Sequence, residues 1–353
     1  MNTAPVVSVI VAAFNARRWI GMSLDSARAQ TLCEIEIIVV DDGSSDDTPE
    51  VVAEFARRDS RIRLIRRENA GVGAARNAGI LAARGKFIAP LDADDLWDPE
   101  KLEKQVRRIG QCGERTAMVY CWYRRVDEEG NELGSDFPFT VEGDARRAII
   151  LRNFVGNASV PLFRAEALRQ TGFYLTREEQ GGVQGCEDWD LSIRLAESWE
   201  VGVVPEVLVG YRQSESCMSS AAPGMAASFR VVMDRARRRN ADLPKTLFRW
   251  AEGHFQSYLV FKSYDSCNYR SCLIAGARAI WCDPAMMLNW SLHKMTLKSF
   301  VWLASGKRRS LPRRECLVPP EAAAAGPLPT DKSLLGRVQE RRWTRAVEGN
   351  GQQ

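Results

Sequence analysis

Residues 87–101 read FIAPLDADDLWDPEK, and the rest of the chain is arranged around this stretch. Its first five residues are mostly apolar and predict a short buried strand. Three carboxylates follow within four residues, at Asp92, Asp94 and Asp95. Asp98 and Pro99 then show the pattern of a helix start, with a capping carboxylate before a proline at the first helical position. The stretch therefore predicts a strand, an acidic turn and a helix.

The acidic turn has two interpretations. Carboxylates this close repel one another, and a structured, partly buried strand end tolerates them when a cation is bound. Mg²⁺ and Mn²⁺ suit such a place because they take carboxylates together with substrate phosphates and waters. The alternative is a solvated turn whose aspartates only cap the next helix. This stretch alone leaves both open, and the rest of the chain favours the metal.

Length and composition narrow the class of protein. A chain of 353 residues holds one large domain or two moderate ones, and its 45% hydrophobic and 27% charged content is typical of soluble globular proteins. Two histidines argue against a histidine zinc site or a Ser-His-Asp triad. Nine cysteines without a CxxC pair predict free thiols in a reducing compartment. We see no signal peptide and no apolar run near the roughly 20 residues that span a bilayer, so we expect a cytoplasmic protein.

Charge is distributed unevenly along the chain. Residues 1–220 contain 27 Lys and Arg against 35 Asp and Glu, whereas residues 221–353 contain 22 against 10. The front is therefore net −8 and the rear net +12. A basic region commonly meets phosphates, whether on lipid headgroups, nucleic acid or an anionic glycan.

Apolar runs alternate with helical patterns in the first hundred residues. The predicted strands are Val6–Phe14, Ile35–Val40, Ile62–Ile65 and Phe87–Leu91. This alternation predicts βαβ units and a parallel sheet, hence an α/β fold. Ligands of such sheets lie beyond the carboxyl ends of the strands. We therefore expect the strand ends at Ala12–Asn15, Asp41–Asp42 and Asp92–Asp95 to meet in one crevice.

The loop after the third strand, NAGVGAARNAG, brings small residues and one arginine to the same side. Gly71-Val72-Gly73 resembles the start of a dinucleotide fingerprint, but Arg76 stands where the third glycine belongs and the loop does not follow the first strand. We therefore disfavour a dinucleotide site. Carboxylates, an arginine and a glycine-thinned backbone instead suggest a nucleotide site, with the metal between carboxylate and diphosphate.

A second acidic segment, CEDWDLSIRLA at residues 186–196, predicts a helix. Glu187 and Asp188 lie in its first turn, where the helix dipole favours acidic groups for structural reasons alone. The functional alternative is that Asp188, beside the apolar Trp189, accepts a proton from a substrate. Spacing alone leaves both interpretations open.

Five motifs now stand in order along the chain. They are SVIVAAFN, VVDDGSSDDT, NAGVGAARNAG, LDADD and CEDWDL. In this order and spacing they resemble the family 2 glycosyltransferases of the GT-A fold, over about residues 5–220. The resemblance implies a Rossmann-like, mostly parallel open sheet flanked by helices. It also implies an inverting transfer of a sugar from a nucleotide-diphosphate donor with a divalent metal, Mg²⁺ or Mn²⁺.

The resemblance assigns donor-side roles by position. The base and ribose pocket would be lined by Ala12, Phe14 and Asn15. Asp42 would hydrogen-bond the base, and Arg76 would contact the base or phosphate. Asp92, the first aspartate of the family's DxD motif, would lie near the ribose.

The resemblance also assigns the metal and the acceptor side. Asp94 would coordinate the metal that bridges the diphosphate. Asp188 would be the catalytic base, with Glu187 beside it and Trp189 lining the acceptor site. The family often has a histidine shortly after the last strand; here Ser214 stands at that position, which puts in doubt any contact from that loop to metal or diphosphate.

We therefore predict a hexosyltransferase-type enzyme that forms surface polysaccharide or glycoconjugates. We expect a UDP-sugar donor, because a small base pocket at Asp42 suits a pyrimidine, and a glycan, lipid-linked or other hydroxyl acceptor. A sugar-phosphate nucleotidyltransferase is one alternative, but it needs a glycine-rich basic loop after the first strand, and residues 12–18 contain no glycine. A non-catalytic nucleotide-sugar-binding protein is the other, and intact Asp94 and Asp188 argue against it.

Three regions are predicted: a catalytic domain at 1–220, a helical region at 221–305 and a disordered basic tail at 306–353. The rear helices are expected at Met225–Arg239, Pro244–Lys262, Cys267–Trp281 and Pro284–Leu303. The last is basic and aromatic. It lies either on an anionic membrane, at the inner face of the plasma membrane, or against other helices or another subunit. No nucleic-acid partner is expected, because the basic residues lie on no recognisable binding module.

Overall fold

The structure is a computed structural model that describes residues 4–135, 139–213, 222–305, 338 and 341–344. Ser214 and all but five residues of the predicted tail lie outside this part of the chain. Two compact units are present. The first comprises Met1–Glu132, Thr140–Ala145 and Val155–Ser214, and the second comprises Leu133–Phe139, Arg146–Phe154 and Glu215–Gln353. Two short segments that the sequence placed within the catalytic region thus group with the helices of the second unit.

The first unit is an open sheet with flanking helices. Its strands are β1 (Val7–Ala13), β2 (Ile35–Asp41), β3 (Ile62–Arg66), β4 (Phe87–Asp92), β5 (Leu96–Trp97), β6 (Thr116–Val126), β8 (Leu162–Arg164) and β9 (Glu200–Arg212), with β7 (Glu132–Ser135) following β6 in the chain. Its helices are α1 (Ile20–Arg28), α2 (Thr48–Arg58), α3 (Val72–Ala82), α4 (Lys101–Gln111), α6 (Ala165–Thr171) and α7 (Glu187–Ala196).

Strand order in the sheet is β3-β2-β1-β4-β8-β6-β9-β5. Strands β1 to β4 pair in parallel, as predicted, and so do β6 and β9. The short strand β8 runs antiparallel to both of its neighbours, β4 and β6. Strands β1 and β2 are almost wholly buried, which explains their continuous apolar runs. The carboxyl ends of β1, β2 and β4 therefore meet at one edge of the sheet.

The predicted start of helix α4 is wrong by two residues. The helix begins at Lys101, and no side chain caps it. Asp98 instead closes a tight turn: its Oδ1 accepts from the amide of Glu100 at 3.0 Å, and its carbonyl oxygen accepts from the amide of Lys101 at 3.1 Å. The residues between the acidic turn and α4 form β5, which pairs with β9 and was too short to predict.

The run VGVVPEVLVGY at residues 201–211 predicts a pair of edge strands, and this prediction is also wrong. The segment is one strand, β9, held between β6 and β5. Its register against β6 shifts near Pro205, where Cys121 pairs with Val204 and Trp122 pairs with Val207. A proline inside a strand usually marks an edge or a bulge, and here it marks a bulge.

The second unit is helical, as predicted. It contains α5 (Arg146–Leu151), α8 (Ala222–Arg239), α9 (Lys245–Asp265), α10 (Tyr269–Cys282), a 3₁₀ helix (Pro284–Leu288) and α11 (Trp290–Ser305). The single helix predicted at residues 284–303 is broken because Asn289 starts a new one, its Oδ1 accepting from the amide of Leu292 at 3.0 Å. Within the described residues, none of the helices combines the length and apolar character required to cross a bilayer.

Candidate functional site

Arg76 connects the two acidic segments of the chain. It is buried on α3, and its Nη2 contacts Asp92 Oδ1 at 2.5 Å while its Nη1 contacts Glu187 Oε1 at 2.9 Å. Burial alone would lower the pKa of the guanidinium, but the charges of Asp92 and Glu187 raise it. The arginine therefore stays charged and holds the end of β4 against the start of α7.

The acidic turn after β4 is built on a serine that the sequence did not single out. Ser159 Oγ accepts from the amide of Asp92 at 2.9 Å and donates to Asp95 Oδ2 at 2.6 Å. Asp95 Oδ1 accepts from the amide of Arg212 at 2.9 Å. Burial raises the pKa of Asp95, whose two oxygens are both engaged by the protein. Asp95 thus shapes the turn and is not available to a ligand.

Asp94 is the aspartate that this turn leaves available. Arg212 Nε donates to its carbonyl oxygen at 2.7 Å and fixes the backbone. No side chain in the described part of the chain hydrogen-bonds to the carboxylate of Asp94. Burial, and then the charge of Asp92, raise the pKa of Asp94 to about 6. A cation placed there would relieve both effects.

Asp94 would be the protein's main metal ligand. Among the described residues, no three Asp, Glu, His or Cys side chains lie close enough together to hold a metal by themselves. Mg²⁺ and Mn²⁺ fit such a site, because they are often held by one or two carboxylates and complete their shell with substrate phosphates and water. The donor set at Asp94 therefore fits a metal that arrives with a diphosphate.

The first turn of α7 carries Glu187 and Asp188 with different surroundings. Glu187 is buried between Arg76 and the amide of Gly185, which donates to its Oε2 at 2.9 Å. Asp188 Oδ1 accepts from the amide of Trp189 at 2.8 Å, and no side chain of the described residues donates to the carboxylate. Burial first, and then the charge of Glu187, raise the pKa of Asp188 to about 7. Such a carboxylate is suited to accept a proton near neutral pH.

The predicted nucleotide residues lie around the ends of β1 and β2. Ala12 sits in β1 in register with Asp92 of β4. Phe14 is 52% exposed just beyond the strand. Asn15 has a positive φ of 49° and accepts from the amide of Ser45 at 2.8 Å. These residues leave an open, partly apolar surface beside the acidic turn.

Asp42 is buried and already engaged by the protein. It accepts from the amide of Gly71 at 2.7 Å and pairs with Arg67 at 3.2 Å. Gly71 has a φ of +93° and directly precedes α3 as its N-cap, so Asp42 holds the loop that positions Arg76. The predicted hydrogen bond from a nucleotide base would therefore have to reach a lone pair of the Asp42 carboxylate that these protein contacts do not use.

The structure thus brings Arg76, Asp92, Glu187 and Asp188 into one cluster. Asp94 shares the charge environment of Asp92 and Arg76. Trp189 is only 6% exposed, so little of its surface is available for the predicted contact with an acceptor. Two residues that support the acidic turn, Ser159 and Arg212, were not predicted to do so. No sequence pattern around either residue indicates a contact with that turn.

Comparison with known proteins agrees with this architecture. Residues 8–170 match the family described as Glycosyl transferase family 2. The chain is 40% identical over 153 residues to EpsH of Bacillus subtilis (strain 168), which covers 43% of this chain and 44% of that protein. It is 29% identical over 199 residues to chondroitin synthase of Escherichia coli, covering 56% of this chain and 27% of that one. The chain thus spans less than half the length of these relatives.

Two solved structures share the fold. The S. aureus TarS fragment 1–349, in complex with UDP-GlcNAc, superposes with a TM-score of 0.60 at 17% identity, covering 85% of this chain and 92% of that one. The mannosyltransferase PcManGT from Pyrobaculum calidifontis, in complex with GDP-Man and Mn²⁺, gives 0.56 at 19% identity, covering 86% and 87%. Residues 8–170 are therefore similar to glycosyltransferase family 2, and the chain has the GT-A fold.

Proposed function

We propose that the chain transfers a sugar from a nucleotide-diphosphate sugar to a hydroxyl acceptor, in a single displacement that inverts the anomeric carbon. The observation that carries the proposal is the Arg76 bridge. Arg76 contacts Asp92 and also Glu187, which lies 111 residues after it in the sequence, and so brings Asp188 beside the acidic turn. This reaction would contribute to the synthesis of a surface polysaccharide or glycoconjugate. The relative named chondroitin synthase supports that setting.

In this mechanism Asp188 accepts the proton of the attacking hydroxyl. Its pKa, raised to about 7, matches that task, because a base works best when its pKa lies near the working pH. Glu187 is held by Arg76 next to Asp188, and its proximity helps to raise the pKa of Asp188, which makes the base stronger. No covalent nucleophile is required.

The leaving group would be a nucleoside diphosphate, and Asp94 would hold the metal that accompanies it. Mg²⁺ or Mn²⁺, when bound, offsets the negative charge that develops on the leaving diphosphate. Arg212 and Ser159 keep the Asp94 backbone in place for that contact. The neighbour PcManGT, solved with GDP-Man and Mn²⁺, supports the use of a divalent metal.

The donor is proposed to be a UDP-sugar, in line with the TarS complex with UDP-GlcNAc. A thermal-shift screen with Mn²⁺ tests this: UDP-sugars are expected to raise the Tm by several degrees, and GDP-sugars or nucleoside monophosphates by less. Binding linkage predicts about 2.7 kcal/mol of stabilisation at a ligand concentration 100 times the Kd. A screen in which no nucleotide sugar stabilises the chain would contradict the proposal.

We also propose that α11 contacts an anionic membrane, at the inner face of the plasma membrane. One stripe of the helix carries Trp290 (76% exposed), Lys294, Leu297 (65% exposed) and Val301, with Lys298 beside it. Residues 284–305 contain no Asp or Glu. Apolar side chains with flanking lysines are the composition of helices that lie in a lipid headgroup layer.

Vesicle sedimentation tests the membrane contact. The chain is expected to bind vesicles rich in phosphatidylserine and to bind pure phosphatidylcholine at least tenfold more weakly. Replacing Lys294 and Lys298 by Glu should weaken binding by tenfold or more, since each basic residue near the surface contributes about 1 kcal/mol.

A matched pair of variants tests whether vesicle binding depends on the exposed face of α11 or on exposed apolar side chains in general. Leu297→Ser should weaken vesicle binding. Leu81→Ser, which removes an equally exposed leucine (72%) from α3, should leave it unchanged. Equal behaviour of the two variants would overturn the membrane proposal.

A further inference from the structure

Tyr174 places a buried hydroxyl among the charged groups of the candidate site. The residue is 3% exposed, and no described residue hydrogen-bonds to its hydroxyl. Its ring faces the Arg76 guanidinium, 5.2 Å from Cζ to the ring centroid. Burial raises the pKa of Tyr174, and the charges of Arg76, Asp188 and Asp92 also act on it. The hydroxyl therefore stays protonated and remains a hydrogen-bond donor.

The tyrosine is held in place by α3 and not by its own hydroxyl. Asn77 Nδ2 donates to the Tyr174 carbonyl oxygen at 2.8 Å, and the Tyr174 amide donates to Asn77 Oδ1 at 2.9 Å. The following residue, Leu175, lies so close to α3 that a Cβ at Gly73 would fall 2.2 Å from its carbonyl oxygen. The backbone thus fixes the ring beside Arg76 whether or not the hydroxyl is present.

A phenylalanine at position 174 would pack equally well and would avoid an unpaired hydroxyl. Buried polar groups without partners are uncommon, because their desolvation is not offset by a hydrogen bond. The hydroxyl of Tyr174 therefore makes sense if a bound ligand supplies its partner. The ligand must fit between a hydrogen-bond donor and the carboxylates around it.

We propose that the Tyr174 hydroxyl binds a saccharide hydroxyl at the reacting centre, beside Asp188. The inference rests on the proposed transfer reaction and adds a specificity-determining residue to it. A sugar hydroxyl both accepts and donates, so it can bridge Tyr174 and Asp188, whereas a diphosphate oxygen only accepts. Because Tyr174 is 3% exposed, a saccharide must displace neighbouring side chains to reach its hydroxyl.

The test is Tyr174→Phe in the full chain, which removes the hydroxyl and keeps the ring on Arg76. UDP, and the UDP-sugar that most stabilises the unaltered protein, are titrated by calorimetry with Mn²⁺. If the hydroxyl binds the donor sugar, the affinity for the UDP-sugar falls about tenfold while that for UDP is unchanged. If it binds the acceptor, both affinities hold and the acceptor KM rises about tenfold. An equal loss for UDP and UDP-sugar, or no change in any of the three, overturns the inference.

Tyr120→Phe is the matched control. Tyr120 is equally buried, but its hydroxyl donates to the carbonyl oxygen of Val141 at 3.1 Å and accepts from the amide of the same residue at 2.8 Å. Its loss should lower the Tm by about 2–4 °C and leave binding unchanged, whereas Tyr174→Phe should keep or raise the Tm. Failure of the unaltered protein to bind any nucleotide sugar would count against the proposed function. Normal binding by Tyr174→Phe with normal acceptor KM would count against this inference alone.

Discussion

Replacing Asp188 with Asn is expected to abolish turnover while leaving donor binding largely intact. The variant lacks the carboxylate that would accept the proton of the acceptor hydroxyl in the proposed mechanism, and loss of a general base typically lowers kcat by about 10²–10⁴-fold. Sugar transfer measured with a labelled donor gives kcat, and thermal shift gives donor affinity. In the unaltered protein, kcat/KM should fall about tenfold per pH unit below the pKa of Asp188, raised to about 7 by burial and Glu187.

The same variant should be more stable than the unaltered protein at pH 8. The folded-state pKa of Asp188 lies above its unfolded value, so its ionisation destabilises the fold as pH rises from about 4 to about 7. The amide that replaces the carboxylate has no charge to bury, so a Tm gain of about 2–4 °C is expected at pH 8 and none at pH 4. Asp25→Asn, on an exposed part of α1, is the control and should change neither property. Turnover of Asp188→Asn within threefold of normal would refute its role as the base.

Replacing Asp94 with Asn is expected to remove the response to metal. The carboxylate would be the main protein ligand of Mg²⁺ or Mn²⁺, so the Tm increase produced by Mn²⁺ with UDP should disappear. Turnover should fall by about 10²-fold or more, because a bound metal supplies several kcal/mol of charge stabilisation. The Tm without ligand should stay the same or rise, since the raised pKa of Asp94 marks a carboxylate that is costly to ionise.

Asp95→Ala gives the opposite pattern and serves as the contrast. Asp95 is engaged by Ser159 and by the Arg212 amide, so its loss should lower the Tm without ligand. The two variants together distinguish the proposed role of Asp94 as a metal ligand from the role of Asp95 in supporting the turn. An unchanged Mn²⁺ response in Asp94→Asn would rule out the proposed metal position.

The parts of the site that lie at strand ends could be predicted from the sequence. Asp92 and Ala12 end parallel strands that pair directly, so the prediction of one shared edge followed from strand type and order. The meeting of Asp92 with Glu187 was expected only from the family resemblance. Its physical cause is the double contact of Arg76. Because Arg76 lies 111 residues before Glu187, no local sequence pattern indicates this contact.

The supports of the site could not be predicted from the sequence. Ser159 is 67 residues from the Asp92 amide that donates to it, and the Arg212 amide is 117 residues from its acceptor in Asp95. Ser159 lies in the loop between α5 and β8, where the local sequence pattern carries no information about distant partners. Tyr174 is similar, because its place beside Arg76 depends on a backbone clamp with Asn77. Tertiary contacts of this kind have no signature in spacing.

Local errors came from competing turn chemistry. The pair Asp98 and Pro99 suits a helix start, yet β5 holds the chain extended just before them and delays α4 to Lys101. Asn289 divides the last predicted helix because its side chain caps a new one. In both places a neighbouring hydrogen bond outweighed the periodic pattern.

The reversed direction of β8 has a consequence for how such a chain diversifies. On one side of this strand stand β1 to β4, and on the other stand β6 and β9. The family match stops at residue 170, soon after β8 ends at Arg164. The antiparallel strand β8 therefore separates the parallel pairing of β1 to β4 from the parallel pairing of β6 with β9. Hybrids that exchange everything beyond β8 between relatives would therefore show whether the two parts of the sheet fold independently.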